Sequence, residues 1–189
     1  MMTEINDKGE SVGEKEQDEL ADLVGELSAT ASVVIMSGSL PSGVADDYYF
    51  RLSERIPKNV KKIFDVTGDR LVNALKGGAY LVKPNLDELR EITGEHYDGF
   101  DEMLGGCRRL LDAGAENVML SLGRKGTVGA GDGMVAATAL MTERGETKEE
   151  ILRCAVAAGT ASVTTPGTNL FYKDKFLEIY DRIKVEKVY

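Results

Sequence analysis

The sequence predicts an α/β fold in three layers, with a mainly parallel sheet between helices. Short apolar runs of strand length alternate with longer stretches whose apolar residues recur at helical spacing. The alternation repeats at least four times with short connections, as in parallel strands joined by crossover helices. SVVIMSG (32–38) is a continuous apolar run ending in Gly, the pattern of a strand buried on both faces.

Each element has its own local reason. EKEQDELADLVGELSA (14–29) places Leu20, Leu23, Val24 and Leu27 at helical spacing, and the strand at 32–38 follows. PSGVADDYYFRLSERI (41–56) returns to helix after a turn at Pro41 to Gly43. KKIFDVTG (61–68) reads as strand and DRLVNALKGG (69–78) as a helix closed by glycines. AYLVKPN (79–85) is a strand stopped by Pro84, and LDELREITG (86–94) is a helix closed by Gly94. FDEMLGGCRRLLDAGA (100–115) is helix and ENVMLSLG (116–123) strand. Helices are expected over roughly 131–143, 147–163 and 173–183.

The totals narrow the function classes. The chain has 189 residues, which suits one domain over 1–189. Its 32 acidic against 23 basic residues leave a formal charge of −9, which argues against a nucleic-acid or polybasic membrane partner. No apolar run reaches membrane-spanning length, and MMTEINDKGE does not read as a signal peptide, so a cytoplasmic location is expected. Cys107 and Cys154 form no CxxC motif and read as reduced, small apolar residues. His96 is the one histidine, so no histidine cluster exists for metal or nucleophilic chemistry.

Open α/β sheets bind ligands beyond the carboxyl ends of their strands. SGSLPSG (37–43), DVTGD (65–69), KPNLDE (83–88) and SLGRKG (121–126) all sit at expected strand ends and should converge on one edge. The stretch KGTVGAGDGMVAA (125–137) adds glycines and one carboxylate at the mouth of a helix. The first N–H groups of a helix have no partner inside it and the dipole is positive there. Gly129, Ala130 and Gly131 would supply such amides as an anion site, with Asp132 in the first turn beside it. A plainer reading makes Asp132 a helix-starting carboxylate and the glycines a tight turn. Gly126, Gly129 and Gly131 read G-x-x-G-x-G, which is neither the dinucleotide fingerprint nor a Walker loop. An aspartate beside an anion site suits phosphoryl transfer: the amides neutralise charge and the carboxylate orients the attacking hydroxyl.

TVGAGDGMVAA (127–137) resembles the C-terminal signature, T-x-G-A-G-D, of the ribokinase-like (pfkB) carbohydrate kinases. SGSLPSG, VKPNLDEL, SLGRKG and AAGTASVTTPGT follow one another as in the branch of that family that phosphorylates sugar phosphates, and TEIN (3–6) is similar to it too. The resemblance implies a ribokinase-like fold and ATP-dependent, magnesium-requiring phosphorylation of a sugar phosphate. Fructose 1-phosphate, giving fructose 1,6-bisphosphate, is the expected acceptor. Tagatose 6-phosphate, fructose 6-phosphate, or a module that binds nucleotide without catalysis are the alternatives.

By that resemblance Asp132 is the catalytic base, and Gly129, Ala130 and Gly131 form the anion hole. Ser121, Leu122, Gly123, Arg124, Lys125 and Gly126 match the nucleotide-binding turn. Asn85 and Glu88 match an N-x-x-E element that helps hold magnesium and phosphate. Read alone, the same two residues are an N-cap and its partner at the third helical position. Lys83 faces either phosphate or solvent. Ser37, Gly38 and Ser39 would line the sugar pocket, or form a turn only. Asp65, at a strand end, either approaches ligand or is a solvated loop residue, and Tyr48 and Tyr49 read as packing residues.

Family members begin with a longer segment that supplies further strands, the lid and a sugar-gripping aspartate. The fold is therefore expected to be incomplete here, with 1–12 a remnant of the lid region. The family's lid often makes a homodimer. SLGRKG also runs straight into TVGAGD, so a segment is expected to be missing between Gly126 and Thr127.

Overall fold

The computed structural model describes residues 9–122, 130–165 and 171–188. Its elements are α1 (Glu14–Ser28), β1 (Val33–Ser37), α2 (Tyr48–Ser53), β2 (Lys61–Asp65), α3 (Gly68–Leu75), β3 (Leu81–Val82), α4 (Leu86–Thr93), α5 (Phe100–Asp112), α6 (Ala130–Glu143), α7 (Lys148–Val163) and α8 (Lys173–Tyr180). They form two compact units, Met1–Gly123 and Arg124–Tyr189.

In the first unit the strands pair in parallel in the order β1-β2-β3, with Ile35 opposite Ile63 and Phe64 opposite Val82. Crossovers between parallel strands are right-handed, so a sheet wound in sequence order carries its crossover helices on one face. The core agrees. Met36, Phe64 and Val82 of the strands pack in one cluster with Tyr48, Tyr49 and Leu52 of α2, Leu71 and Leu75 of α3, Leu89 of α4 and Leu110 of α5. Ile63 and Leu81 alternate to the other face and are also buried, at 0% and 6% exposed. Both faces are therefore covered at β2 and β3, whereas at β1 the second face is open: Ile35, opposite Ile63, is 41% exposed, so the run 32–38 is not buried on both faces as its apolar sequence suggests. Burying a side chain such as Phe64 contributes about 2–3 kcal/mol.

The stretch expected as a fourth strand is interrupted. Residues 115–121 run parallel to β3 but meet it only at isolated bridges: Ala79 with Ala115, Val82 with Val118, Asn85 with Ser121. Val82 N–H donates to the Asn117 carbonyl at 3.1 Å, and Met119 N–H to the Val82 carbonyl at 2.9 Å. Ser121 N–H donates to the Pro84 carbonyl at 3.0 Å. The next donor from the β3 side would be residue 84, and proline has no N–H to give.

Helix α1 lies differently from its sequence pattern. It buries Gln17, Ala21 and Ser28, while Leu20, Leu23 and Leu27 are 47%, 47% and 65% exposed. Its rotation follows its contacts with α2 and the turn after it: the Tyr48 hydroxyl donates to the Gln17 carbonyl at 2.6 Å, Arg51 pairs with Asp18, and Arg55, just past α2, pairs with Asp22.

In the second unit α6 and α7 pack through small residues. A Cβ at Gly133 would lie 2.6 Å from Ser162 Oγ, and one at Gly159 would lie 2.9 Å from the Ala130 carbonyl oxygen. Only glycine permits that approach. Helix α8 joins α7 through the Tyr180 hydroxyl, which bonds Glu150, with Arg153 over the Tyr180 ring at 5.4 Å. No helix among the described residues is long and apolar enough to cross a membrane.

Candidate active site

Parallel strands bring their carboxyl ends to one edge, and in the first unit that edge carries charge. β2 ends in Asp65 and β3 leads into Lys83, Pro84 and Asn85. Lys83 Nζ lies 3.1 Å from Asp65 Oδ1, with the two side chains 7% and 16% exposed. The sequence leaves Lys83 open between ligand and solvent, and reads Asp65 as a solvated loop residue in preference to one near ligand. The structure corrects the second reading and removes the solvent alternative for Lys83: the two are a largely desolvated pair, because the β2-β3 register sets them side by side.

The residues that follow are held by the start of α4. Glu88 N–H donates to Asn85 Oδ1 at 2.9 Å, and Asn85 N–H donates to Glu88 Oε2 at 2.8 Å. This reciprocal cap follows from Asn and Glu three residues apart at a helix start. Gly94 closes the helix in the left-handed region at φ 71°. Burial pushes the Glu88 carboxyl above the ordinary range, the Asn85 N–H and Lys83 pull it back, and Asp65 and Glu91 push it further up. Ser121 sits beside Asn85 in the bridged register. Asp65, Lys83, Asn85, Glu88 and Ser121 thus gather at one sheet edge.

Ser37, Gly38 and Ser39 leave β1 at the same edge, all exposed. Gly38, at φ 98°, donates its N–H to the Asp65 carbonyl at 3.3 Å. Sequence reasoning treated Tyr49 as a packing residue. It is buried, but its hydroxyl also lies 3.1 Å from the Ser37 carbonyl and 3.3 Å from the Gly38 carbonyl. No local pattern signals this contact, since it depends on where α2 lies over the sheet.

In the second unit α6 starts at Ala130. Asp132 lies in its first turn, with Ala130 and Gly131 beside it. Gly131 is half-buried and the Asp132 residue exposed. Gly129 of the expected anion hole lies outside the described residues, as do Gly123, Arg124, Lys125 and Gly126 of the expected nucleotide turn. Leu122, also of that turn, is 59% exposed.

No group of three or more His, Cys, Asp or Glu side chains able to hold a metal occurs among the described residues. Magnesium in phosphoryl transfer needs less, because it keeps waters and is held by one or two carboxylates together with substrate phosphates. Asp65 and Glu88 are oxygen donors of that kind. Each already has a partner, Lys83 and the Asn85 amide, so they suit a hydrated ion better than direct ligation.

The model of the pfkB family of carbohydrate kinases matches residues 2–128 and 125–175. The chain belongs to this family. The two matches meet at 125–128, around the Gly126–Thr127 junction. The 1-phosphofructokinase of Borreliella burgdorferi is 29% identical over 209 aligned positions, covering 99% of this chain and 67% of its own length. Those positions outnumber the 189 residues here, so that relative carries residues within the matched stretch that have no counterpart. An ATP-dependent 6-phosphofructokinase isozyme 2 of Mycobacterium tuberculosis is 34% identical, covering 90% of this chain and 58% of its own. The crystal structure of Escherichia coli phosphofructokinase-2 in complex with fructose-6-phosphate superposes with a TM-score of 0.79 at 29% identity, covering 90% of this chain and 62% of that one. The expected parallel-sheet α/β fold of the family is therefore present. The chain spans about 58–67% of the length of these two curated relatives.

Proposed function

We propose that this pfkB chain belongs to an ATP-dependent kinase that phosphorylates fructose 1-phosphate to fructose 1,6-bisphosphate. One observation supports the reading above the others. Helix α6 begins within the family's glycine-aspartate signature, so Ala130 and Gly131 offer first-turn amides and exposed Asp132 shares that turn. Such amides suit the charge of a transferring phosphoryl group.

In this reading the acceptor hydroxyl attacks the γ-phosphorus of ATP, the bond to the ADP oxygen breaks, and the hydroxyl proton passes to an Asp132 carboxylate oxygen. A loose transition state, in which the proton leaves late, suits a carboxylate in that role. The amides of Gly129, Ala130 and Gly131 hold the phosphoryl oxygens. Ser121 to Gly126 take the nucleotide, with Lys83 and Asn85 toward its phosphates and Ser37, Gly38 and Ser39 toward the sugar. Magnesium, when bound, neutralises charge on the donor phosphates. Glu88, with Asp65 beside it, would hold it through water and phosphate. We read 1–189 as one cytoplasmic kinase domain, with 1–12 belonging to the lid region and a homodimer as its assembly.

The test is ADP release by the full-length protein that carries this chain, with fructose 1-phosphate, tagatose 6-phosphate and fructose 6-phosphate in turn. Asp132→Asn is expected to lower turnover about 10²–10⁴-fold while ATP binding persists. Turnover that survives Asp132→Asn removes the base assignment. ATP binding without turnover on any sugar phosphate replaces the kinase with a nucleotide-binding module.

A further inference from the structure

We propose that the Tyr49 hydroxyl is a positioning residue for the acceptor, because it pins the turn leaving β1 to the strand-end edge. The inference rests on the reading that Ser37, Gly38 and Ser39 line the sugar site.

The geometry is unusual for a residue in a six-residue helix whose ring belongs to the core. The ring is 6% exposed, yet its single hydroxyl proton is offered to two successive carbonyls, of Ser37 at 3.1 Å and Gly38 at 3.3 Å. Those carbonyls converge because Gly38 takes φ 98°, which a side chain would disfavour. A Cβ there would meet nothing within 4 Å, so glycine serves the backbone conformation and not a close approach. From the other side the Gly38 N–H donates to the Asp65 carbonyl at 3.3 Å. The turn is therefore held between Tyr49 and the residue whose carboxylate pairs with Lys83. Burial pushes the Tyr49 phenol up against the opposing pull of Arg70, so it keeps its donor proton at neutral pH. Beyond the pinned pair, the Ser39 and Leu40 amides donate to no other described group. A phosphorylated sugar needs donors of this kind, and fixing them beforehand reduces the ordering cost of binding.

The two carbonyls belong to exposed residues, so water can replace the hydroxyl when it is removed. Tyr49→Phe keeps the buried ring and releases only the turn. In the full chain it should raise KM for fructose 1-phosphate about tenfold, the loss of one net hydrogen bond, with kcat and KM for ATP unchanged. Amide exchange at Gly38 should quicken about tenfold while Val82 in β3 keeps its protection. Tyr48→Phe is the contrast, since its hydroxyl donates to the Gln17 carbonyl and makes no contact with the turn. It should lower stability and leave KM alone. Unchanged Gly38 exchange, or a KM for ATP that moves together with Val82 exchange, overturns the proposal. The two readings fail separately. A wild-type chain that turns over no sugar phosphate overturns the kinase and the acceptor role together. An active wild type whose Tyr49→Phe variant keeps its KM overturns the positioning role alone.

Discussion

Lys83 and Asp65 meet at 3.1 Å between side chains that are both largely removed from water. Breaking a buried pair costs more than the pair itself contributes, because the surviving charge stays desolvated. Asp65→Ala should therefore destabilise the fold by about 3 kcal/mol. Adding Lys83→Met, which removes the orphaned ammonium, should recover much of that loss. Urea unfolding of the two single variants and the double variant measures the coupling. Additive losses would mean that the ions act independently.

Glu88 makes stability depend on pH with a sign set by burial. Its carboxyl lies above the ordinary range in the folded state, so folding favours the protonated form. The stabilisation is complete below the unfolded pKa, about 4.3, and is lost as pH rises through the higher folded value. Glu88→Gln keeps an oxygen to accept the Asn85 N–H without titrating. Thermal unfolding from about pH 4 to 7 should show the wild type losing stability relative to the variant. A relative gain over that window would mean that the cap and Lys83 outweigh burial.

Gly159 tests the packing that places the first turn of α6. A Cβ there would approach Met134 Cγ at 2.5 Å and the Ala130 carbonyl oxygen at 2.9 Å. The methionine end can move, but the carbonyl belongs to the helix backbone. Gly→Ala alone favours a helix by about 1 kcal/mol, while overpacking costs about 1–3 kcal/mol. Gly159→Ala should be destabilising on balance. Gly105→Ala in α5, where a Cβ would meet nothing within 4 Å, should be stabilising. Denaturation midpoints that shift the same way for both would show that propensity and not packing decides.

The cysteines should differ in reactivity. Burial and the neighbouring Glu150 raise the Cys154 thiol to about 11, whereas Cys107 is half-buried and raised by burial alone. Only the thiolate is nucleophilic. Alkylation of the native chain near pH 8 should label Cys107 first, with Cys154 labelled on unfolding. Glu150→Gln should speed labelling at Cys154. Equal native rates by peptide mass analysis would contradict this ordering.

The sequence by itself determined what depends on neighbours along the chain. The apolar run 33–37, the Asn85–Glu88 cap and the closing Gly94 were legible because their signals lie within a few residues. The start of α6 within the glycine-aspartate signature was legible for the same reason. The Leu20, Leu23 and Leu27 pattern announced a helix but not which side of it faces α2. Pro84 was legible as the stop of β3, but its missing N–H also interrupts the pairing with 115–121. That second consequence needs the partner strand in place. Only the tertiary structure decided that Lys83 meets Asp65, that Tyr49 reaches Ser37 and Gly38, and that Gly159 touches Ala130. Each of these distances is set by strand register or helix packing between segments separated along the chain, and such a separation leaves no periodic trace in composition or spacing.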